Sequence, residues 1–255
     1  MADPAPNLNV AMDLTGWLDE HTRDMDAAVA DLIQICCAAE KQAYSCNIDA
    51  YRMGITRLIL ERPDQLGAQA IERAARVCFL NAIGKFISFL DKLIASQKNA
   101  TEGIPINRDI ADLEDLKRYI VQHTDEQIAR VASDRALSNP KKLDCFPGLD
   151  ADVRSRCLGY FQLRRTLEHH QDLPERDLNI FTKRAGLFID DSEVRELPHP
   201  IRKGQKMEVR ILNEQKRFTG GKKIVLSPQD AHDLAFTLRN FLAPEIFKAH
   251  IGAGK

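Results

Sequence analysis

The chain lacks several features that would each have fixed a class. No apolar run approaches the length of a membrane span. Among its 255 residues, 36 basic residues meet 37 acidic ones, leaving a net charge of -1. A general polyanion-binding surface is therefore not implied, and any nucleic-acid contact must use a local patch. The six cysteines, at 36, 37, 46, 78, 145 and 157, include no C-x-x-C pair. That argues against a zinc site or a disulfide framework and for reduced, mostly buried thiols in a cytosolic protein. There is no internal repeat and no low-complexity tract. The start, MADPAPNLN, has no basic region followed by an apolar stretch, so it reads as a floppy extension and not as a signal peptide.

What is present is mostly helical periodicity. Residues 24 to 60 carry Val29, Leu32, Ile33, Cys36 and Ala39 at three- and four-residue steps, punctuated by Gly54 and Pro63. Residues 67 to 97 predict a long helix with Ile71, Ala75, Cys78, Ile83, Phe86, Ile87, Leu90 and Ile94 on its buried face. A loop is expected over 98 to 107 and a third helix from Arg108 to Leu137. A fourth helix starts near Asp150. The pattern then changes. GLFID at 186 to 190, the alternating KMEVRIL at 206 to 212 and KKIVLS at 222 to 227 read as a small β-hairpin region, with Gly220-Gly221 as a turn signal. The last helix has Ser227 as N-cap, Pro228 at its first position and Asp230 in its first turn, and Pro244 ends or kinks it.

These elements predict a mainly α fold: an antiparallel helical bundle with a small β-hairpin inserted before the last helix. The expected organisation is an N-terminal extension over 1 to 23, partly flexible, and one helical domain over 24 to 250, with the hairpin region at about 186 to 226.

The fourth helix carries FQLRRTLEHHQDLPERD, residues 161 to 177. On a wheel of 100° per residue, Val153, Cys157, Tyr160 and Leu167 share one face, and Arg164 falls in the middle of it. A guanidinium there needs a carboxylate, a phosphate or a wet groove, because an isolated buried charge is costly. A structural salt bridge inside the bundle would satisfy it equally well. His169 lies well round the wheel from Arg164, so one regular helix does not bring the two together. Adjacent His169 and His170 point in different directions and make a poor metal pair. Asp190, Asp191 and Glu193, with His199 nearby, are more simply a charged turn than a metal centre.

The segment LRRTLEHHQDLPERDL resembles the signature of the HEPN superfamily (higher eukaryotes and prokaryotes nucleotide-binding domain): an arginine, a polar residue, a few residues, then a histidine near the end of a bundle helix. Arg164 matches the motif arginine and His169 the motif histidine. Arg165 stands where asparagine is usual, and His170 follows the motif histidine. The order of parts matches over most of the chain, down to a capped last helix opening with KKIVLSPQDAHDL. The resemblance implies a HEPN-like bundle. It also implies a metal-independent endoribonuclease, needing no cofactor, that acts on RNA as a cytoplasmic homodimer whose two motif helices form one cleft. A role in defence or stress response and a regulatory partner protein belong to the same family-level expectation.

In that chemistry a ribose 2′-hydroxyl attacks its neighbouring phosphate. His169 would move the proton, as an imidazole titrating near neutral pH suits. Arg164 would hold the phosphate with paired hydrogen bonds. Arg165, Glu168 and His170 stand second, as flanking-phosphate contact or ion-pair partners, against the plainer reading of a charged helix surface. Arg176, Lys183 and Arg184 add positive charge downstream. Gln171 occupies the position where some family toxins carry a nucleotidylated tyrosine, so that mode of control is not expected. The rival readings are a HEPN-like binding or assembly module without activity, and a helical interaction protein whose Arg164 is a structural ion pair.

Overall fold

The computed structural model describes residues 7–8, 14–39, 68–194 and 206–252. In chain order the elements are β1 (Asn7–Leu8), α1 (Thr15–Ala39), α2 (Ala68–Glu102), β2 (Ile104–Pro105), α3 (Leu113–Ser133), the single turn α4 (Asn139–Lys142), α5 (Ala151–His169), β3 (Leu178–Ile189), β4 (Ser192–Val194), β5 (Met207–Phe218), α6 (Pro228–Thr237), a π-helical turn (Leu238–Leu242) and α7 (Ala243–Gly252). Most of the described residues are helical, as expected.

Helix α2 is the centre. It touches α1, α3, α5, α6 and α7. Its sequence explains why: Ala75, Cys78, Phe79, Ala82, Ile83, Phe86, Phe89, Leu90, Leu93 and Ile94 are all buried, a stripe too wide for one neighbour. The helix runs past the expected loop at 98 and stops at Glu102. Gly103, at φ 72, then donates its N–H to the Asn99 carbonyl, a left-handed helix end that suits glycine.

Helix α1 begins at Thr15, ahead of the stretch expected from 24. Trp17, His21 and Met25 extend its inward face by further four-residue steps. A histidine in that stripe hides the periodicity, yet His21 is buried and stacked on Phe89 with ring centroids 4.9 Å apart. The expected stretch from 40 to 60, with Cys46, Gly54 and Pro63, lies outside the described residues. Cys78 and Cys157 are buried, and burial pushes the Cys157 thiol up to about 12.

Helix α3 starts at its Asp112 cap, whose carboxylate accepts the Asp115 N–H at 2.8 Å, and is shorter than the expected 108 to 137. Helix α6 has the predicted start. Ser227 Oγ accepts from the Asp230 N–H, and the Asp230 carboxylate accepts from the Ser227 N–H, each at 3.0 Å. Pro244 does not end the helical path. The chain passes through the π-helical turn just before it and continues as α7. A proline offers no N–H to the preceding turn and crowds its carbonyl, and a widened turn absorbs both.

The sheet is larger than the expected hairpin: all but the last residue of GLFID and the first of KMEVRIL fall within its strands, which extend well beyond them, and KKIVLS does not join it. Its order is β4-β3-β5, antiparallel throughout. β3 and β5 pair along 12 residues, from Leu178 opposite Phe218 to Ile189 opposite Met207. KKIVLS is not a strand. Ile224 and Leu226 are buried and Val225 is exposed, so the alternation is real. Its inward side chains join the helical core, and the Ile224 N–H bonds the Asp172 carbonyl at 2.8 Å. The Gly220-Gly221 turn packs on residues 174 to 177. A Cβ at Gly220 would lie 2.9 Å from the Arg176 Cα, and Gly221 sits at φ 70.

Buried charge ties these layers. Arg239 Nε lies 2.9 Å from Asp26 Oδ1, joining α1 to the π-helical turn. Lys216 of β5 reaches Asp230 at 2.7 Å and Asp233 at 3.2 Å on α6. Lys142 Nζ lies 2.5 Å from Asp91 Oδ1, both side chains almost wholly buried. Burial raises the Asp91 carboxyl above the usual range, with Lys142 opposing the rise.

Two outcomes are expected from these buried groups. Lys142→Met leaves a carboxylate with no counter-charge in the core and is expected to lower stability by about 3–5 kcal/mol. Adding Asp91→Leu should restore most of it, read as urea midpoints from the fluorescence of the one tryptophan, Trp17. The second outcome concerns acid. Desolvation lowers the His21 pKa to about 4, with Asp24 opposing and Arg239 and Lys92 assisting. The folded state thus keeps the ring neutral while the unfolded state protonates near 6.5. Stability from this group is complete above pH 6.5 and falls as pH drops toward 4, by about 3 kcal/mol in all. His21→Phe should lose that part of the pH dependence, measured as the wild-type minus variant difference in unfolding free energy between pH 7 and 4.

Candidate active site at the end of helix α5

Helix α5 opens with Asp150, whose carboxylate accepts the Asp152 and Val153 N–H groups. Its buried face does not run straight. Cys157, Tyr160 and Phe161 face the core in the first half, and Leu163, Thr166 and Leu167 in the second. At 100° per residue the buried direction turns by roughly a third of a circle between the two sets. Arg164 is central to the first direction and peripheral to the second. The expected burial of Arg164 is therefore corrected: its side chain is 26% exposed.

The arginine is paired, and the partner is on its own helix. Arg164 Nε donates to Glu168 Oε2 at 2.9 Å. The same carboxylate oxygen lies 3.9 Å from His169 Nε2. Glu168 thus brings together the two residues that a regular helix keeps apart. This is a surface cluster, with the His169 side chain 69% exposed. An i, i+4 pair of this kind contributes on the order of 0.5 kcal/mol. That is little enough for a better-matched anion to displace Glu168 from the guanidinium. Arg165 is exposed and His170 half-buried.

The helix ends abruptly beyond His169. The His170 N–H bonds the Thr166 carbonyl, and the Leu173 N–H bonds the His170 carbonyl at 2.9 Å. Gln171 and Asp172 then adopt φ 52 and 64, a left-handed pair that an aspartate tolerates better than most residues. Arg76 of α2 fixes this reversal. Its Nη1 donates to Asp172 Oδ2 at 2.8 Å, and its Nη2 donates to the Leu167 carbonyl. One planar fork therefore satisfies an end-of-helix carbonyl and a buried carboxylate together.

The downstream turn is tied as well. Asp177 accepts the Gly220 N–H at 2.8 Å and pairs with Arg217. These contacts, the Gly220 N–H first, hold its carboxyl below the usual carboxylate range. Of the downstream cations, Arg176 is exposed. Lys183 lies 4.2 Å from the Phe241 ring centroid. Arg184 is buried between Glu193 and Glu214 and is closed to an external ligand. Asp190 and Asp191 form the left-handed turn between β3 and β4, with Asp191 paired to Arg210. Among the described residues no group of three or more His, Cys, Asp or Glu could hold a metal ion, and His199 lies outside them.

No family model, curated protein or solved structure matches the chain. The case for a function rests on the site itself.

Replacing Arg76 tests how the site is held. Arg76→Leu removes both donors and leaves Asp172 in an apolar setting. It is expected to cost about 2 kcal/mol and to speed amide hydrogen exchange at His170 and Leu173. Arg76→Lys should not restore the exchange rates, because an ammonium lacks the two-pronged geometry.

Proposed function

We propose that this chain is a metal-independent endoribonuclease of HEPN type, with Arg164 and His169 as its catalytic residues and a HEPN-like antiparallel bundle as its frame. One observation carries the reading. Arg164 and His169 are gathered around Glu168 at the solvent-facing end of a helix whose last turn is fixed from outside by Arg76. The guanidinium is held by a weak pair that a phosphate can replace, and the imidazole is open to a substrate.

The reaction suited to these groups is transesterification within RNA. His169 removes the 2′-hydroxyl proton. O2′ bonds to phosphorus, the P–O5′ bond breaks, and the 5′-oxygen takes up a proton from water or from the imidazolium, the net transfer being from O2′ to O5′. Arg164 binds the non-bridging oxygens as charge builds on them. The products are a 2′,3′-cyclic phosphate and a 5′-hydroxyl, and DNA is excluded because it lacks the attacking group. Arg165 and His170 flank this position and would meet neighbouring phosphates. A homodimer presenting two α5 ends to one cleft, and a cytoplasmic role in defence under a regulatory partner, extend the proposal from the same resemblance.

A catalytically silent HEPN-like binding module is the second reading. It is favoured by the guanidinium already engaged by Glu168 and by Arg165 in place of the usual asparagine.

The experiment is cleavage of varied RNAs by the purified protein in EDTA, with product ends mapped. Cyclic phosphate ends are expected, with a loss of roughly 100-fold or more in His169→Ala and Arg164→Ala, both still folded by circular dichroism. RNA binding without cleavage would support the second reading. Cleavage unchanged in both variants would remove Arg164 and His169 from the site.

A further inference from the structure

Among the described residues strand β5 has a partner on one side only. The order β4-β3-β5 leaves its other edge open among the described residues. The ladder shows which residues face that edge. The Asp190 N–H bonds the Lys206 carbonyl at 3.0 Å, so the even-numbered residues of this strand point their backbone groups at β3. By alternation, Met207, Val209 and Ile211 point theirs at the open edge.

Those same three residues carry exposed apolar side chains, at 46%, 44% and 48%. All three are on one face, because they alternate with Glu208 and Arg210. An edge that offers both free backbone groups and an apolar stripe is a template for another strand. Natural edges are commonly blunted by charge, proline or a bulge, and positions 207, 209 and 211 carry none of these, the charges of Glu208 and Arg210 lying on the other face.

We infer that two copies of this chain join edge to edge through β5, antiparallel and centred on Val209. The sequence is self-complementary about that residue. Val209 meets its own copy, Met207 meets the partner's Ile211, and Ile211 meets the partner's Met207. Every such pair joins residues whose backbone groups face the open edge, as an antiparallel ladder requires. The three apolar side chains of each copy merge into one patch. Glu208 lies opposite the partner's Arg210, and the reverse, so the charges between them match as well. Within one copy Arg210 already donates to Glu208 at 2.9 Å, and the pairing turns this into a four-membered alternation of charge.

The inference does not rest on the nuclease reading. Phe218, opposite Leu178, lies nine residues from Val209. At about 3.4 Å per residue, Phe218, at the end of β5 beside the turn that follows α5, is roughly 30 Å along the strand from the dimer axis. The contact is thus a separate face from any meeting of α5 helices, and its test reads mass and not activity.

Sedimentation of the full chain should show at least twice the monomer mass of 28.8 kDa. Val209→Lys places two like charges together at the axis and should at least halve the mass, with circular dichroism and melting temperature unchanged. Cysteine placement reads the register. Val209→Cys should form a disulfide-linked dimer under mild oxidation, since directly opposed Cα atoms in such a pair are about 5.5 Å apart. Ile211→Cys should not exceed the wild-type background, because its copies lie about 13 Å apart in this register. A wild type that sediments as a monomer would overturn the inference, leaving the edge to a strand of another protein. So would a mass that Val209→Lys leaves unchanged, or equal crosslinking by the two cysteine variants.

Discussion

The guanidinium of Arg76 ties together segments of this structure that lie far apart in sequence. It stands on the central helix and reaches the Leu167 carbonyl in the last turn of α5 and the buried Asp172 together. Asp172 in turn offers its backbone carbonyl to Ile224, and Pro174 offers its own to Gly221. Three segments far apart in sequence therefore meet at one place: the first turns of α2, the end of α5, and the extended chain that leads into α6. The reversal after His169 uses two non-glycine residues in left-handed conformations, which persist only where surroundings over-determine them. The fork supplies that determination, and so sets where Glu168 and His169 stop relative to the core.

Charge is used in two ways, and the difference separates frame from site. Lys142 with Asp91, Arg239 with Asp26, and Arg184 between two glutamates are removed from solvent and satisfied by fixed partners. Such groups are costly to disturb and closed to an incoming ligand. Arg164 is different. Among the described residues its partner is Glu168, one turn further along its own helix and partly in water, and the pair contributes little. A charge that the fold does not need is one that a substrate can use. By this criterion Arg164 is separated from the buried cations of the frame, as are Lys117 and Lys248 on other helix surfaces; His169 beside it is what marks the end of α5.

Much of the helical frame was legible because its signals are local. The cap at Ser227 with Asp230 and the apolar steps of α2 lie within a few residues of the elements they define. What was not legible depends on distant partners. The bond from Arg76 to Asp172 spans 96 positions, and nothing in either neighbourhood announces it. KKIVLS alternates as a strand does, but alternation reports only one buried side, and here that side faces helices. The early part of β3 was missed for the converse reason: Thr182, Lys183 and Arg184 read as a polar stretch, while Thr182 and Arg184 are buried. The misplacement of Arg164 has a geometric cause. A wheel assumes one buried direction, and the buried face of α5 turns halfway along.

The two surfaces proposed for partners are of opposite kinds, and their positions keep them independent. The end of α5 offers charge with little apolar area, which suits a phosphate backbone that binds by exchange of counter-ions and hydrogen bonds. The free edge of β5 near Val209 offers backbone groups and apolar area, which suits a second strand. Between them runs β5 from Val209 to Phe218, in which the exposed positions become Asn213, Gln215 and Arg217. That change in character along one strand confines an apolar association to the far end and leaves the sheet polar where it approaches the motif turn. An RNA lying across the end of α5 would meet this polar end and not the apolar one. The two proposed contacts would therefore vary separately, because they draw on different residues, different forces and opposite ends of the same strand.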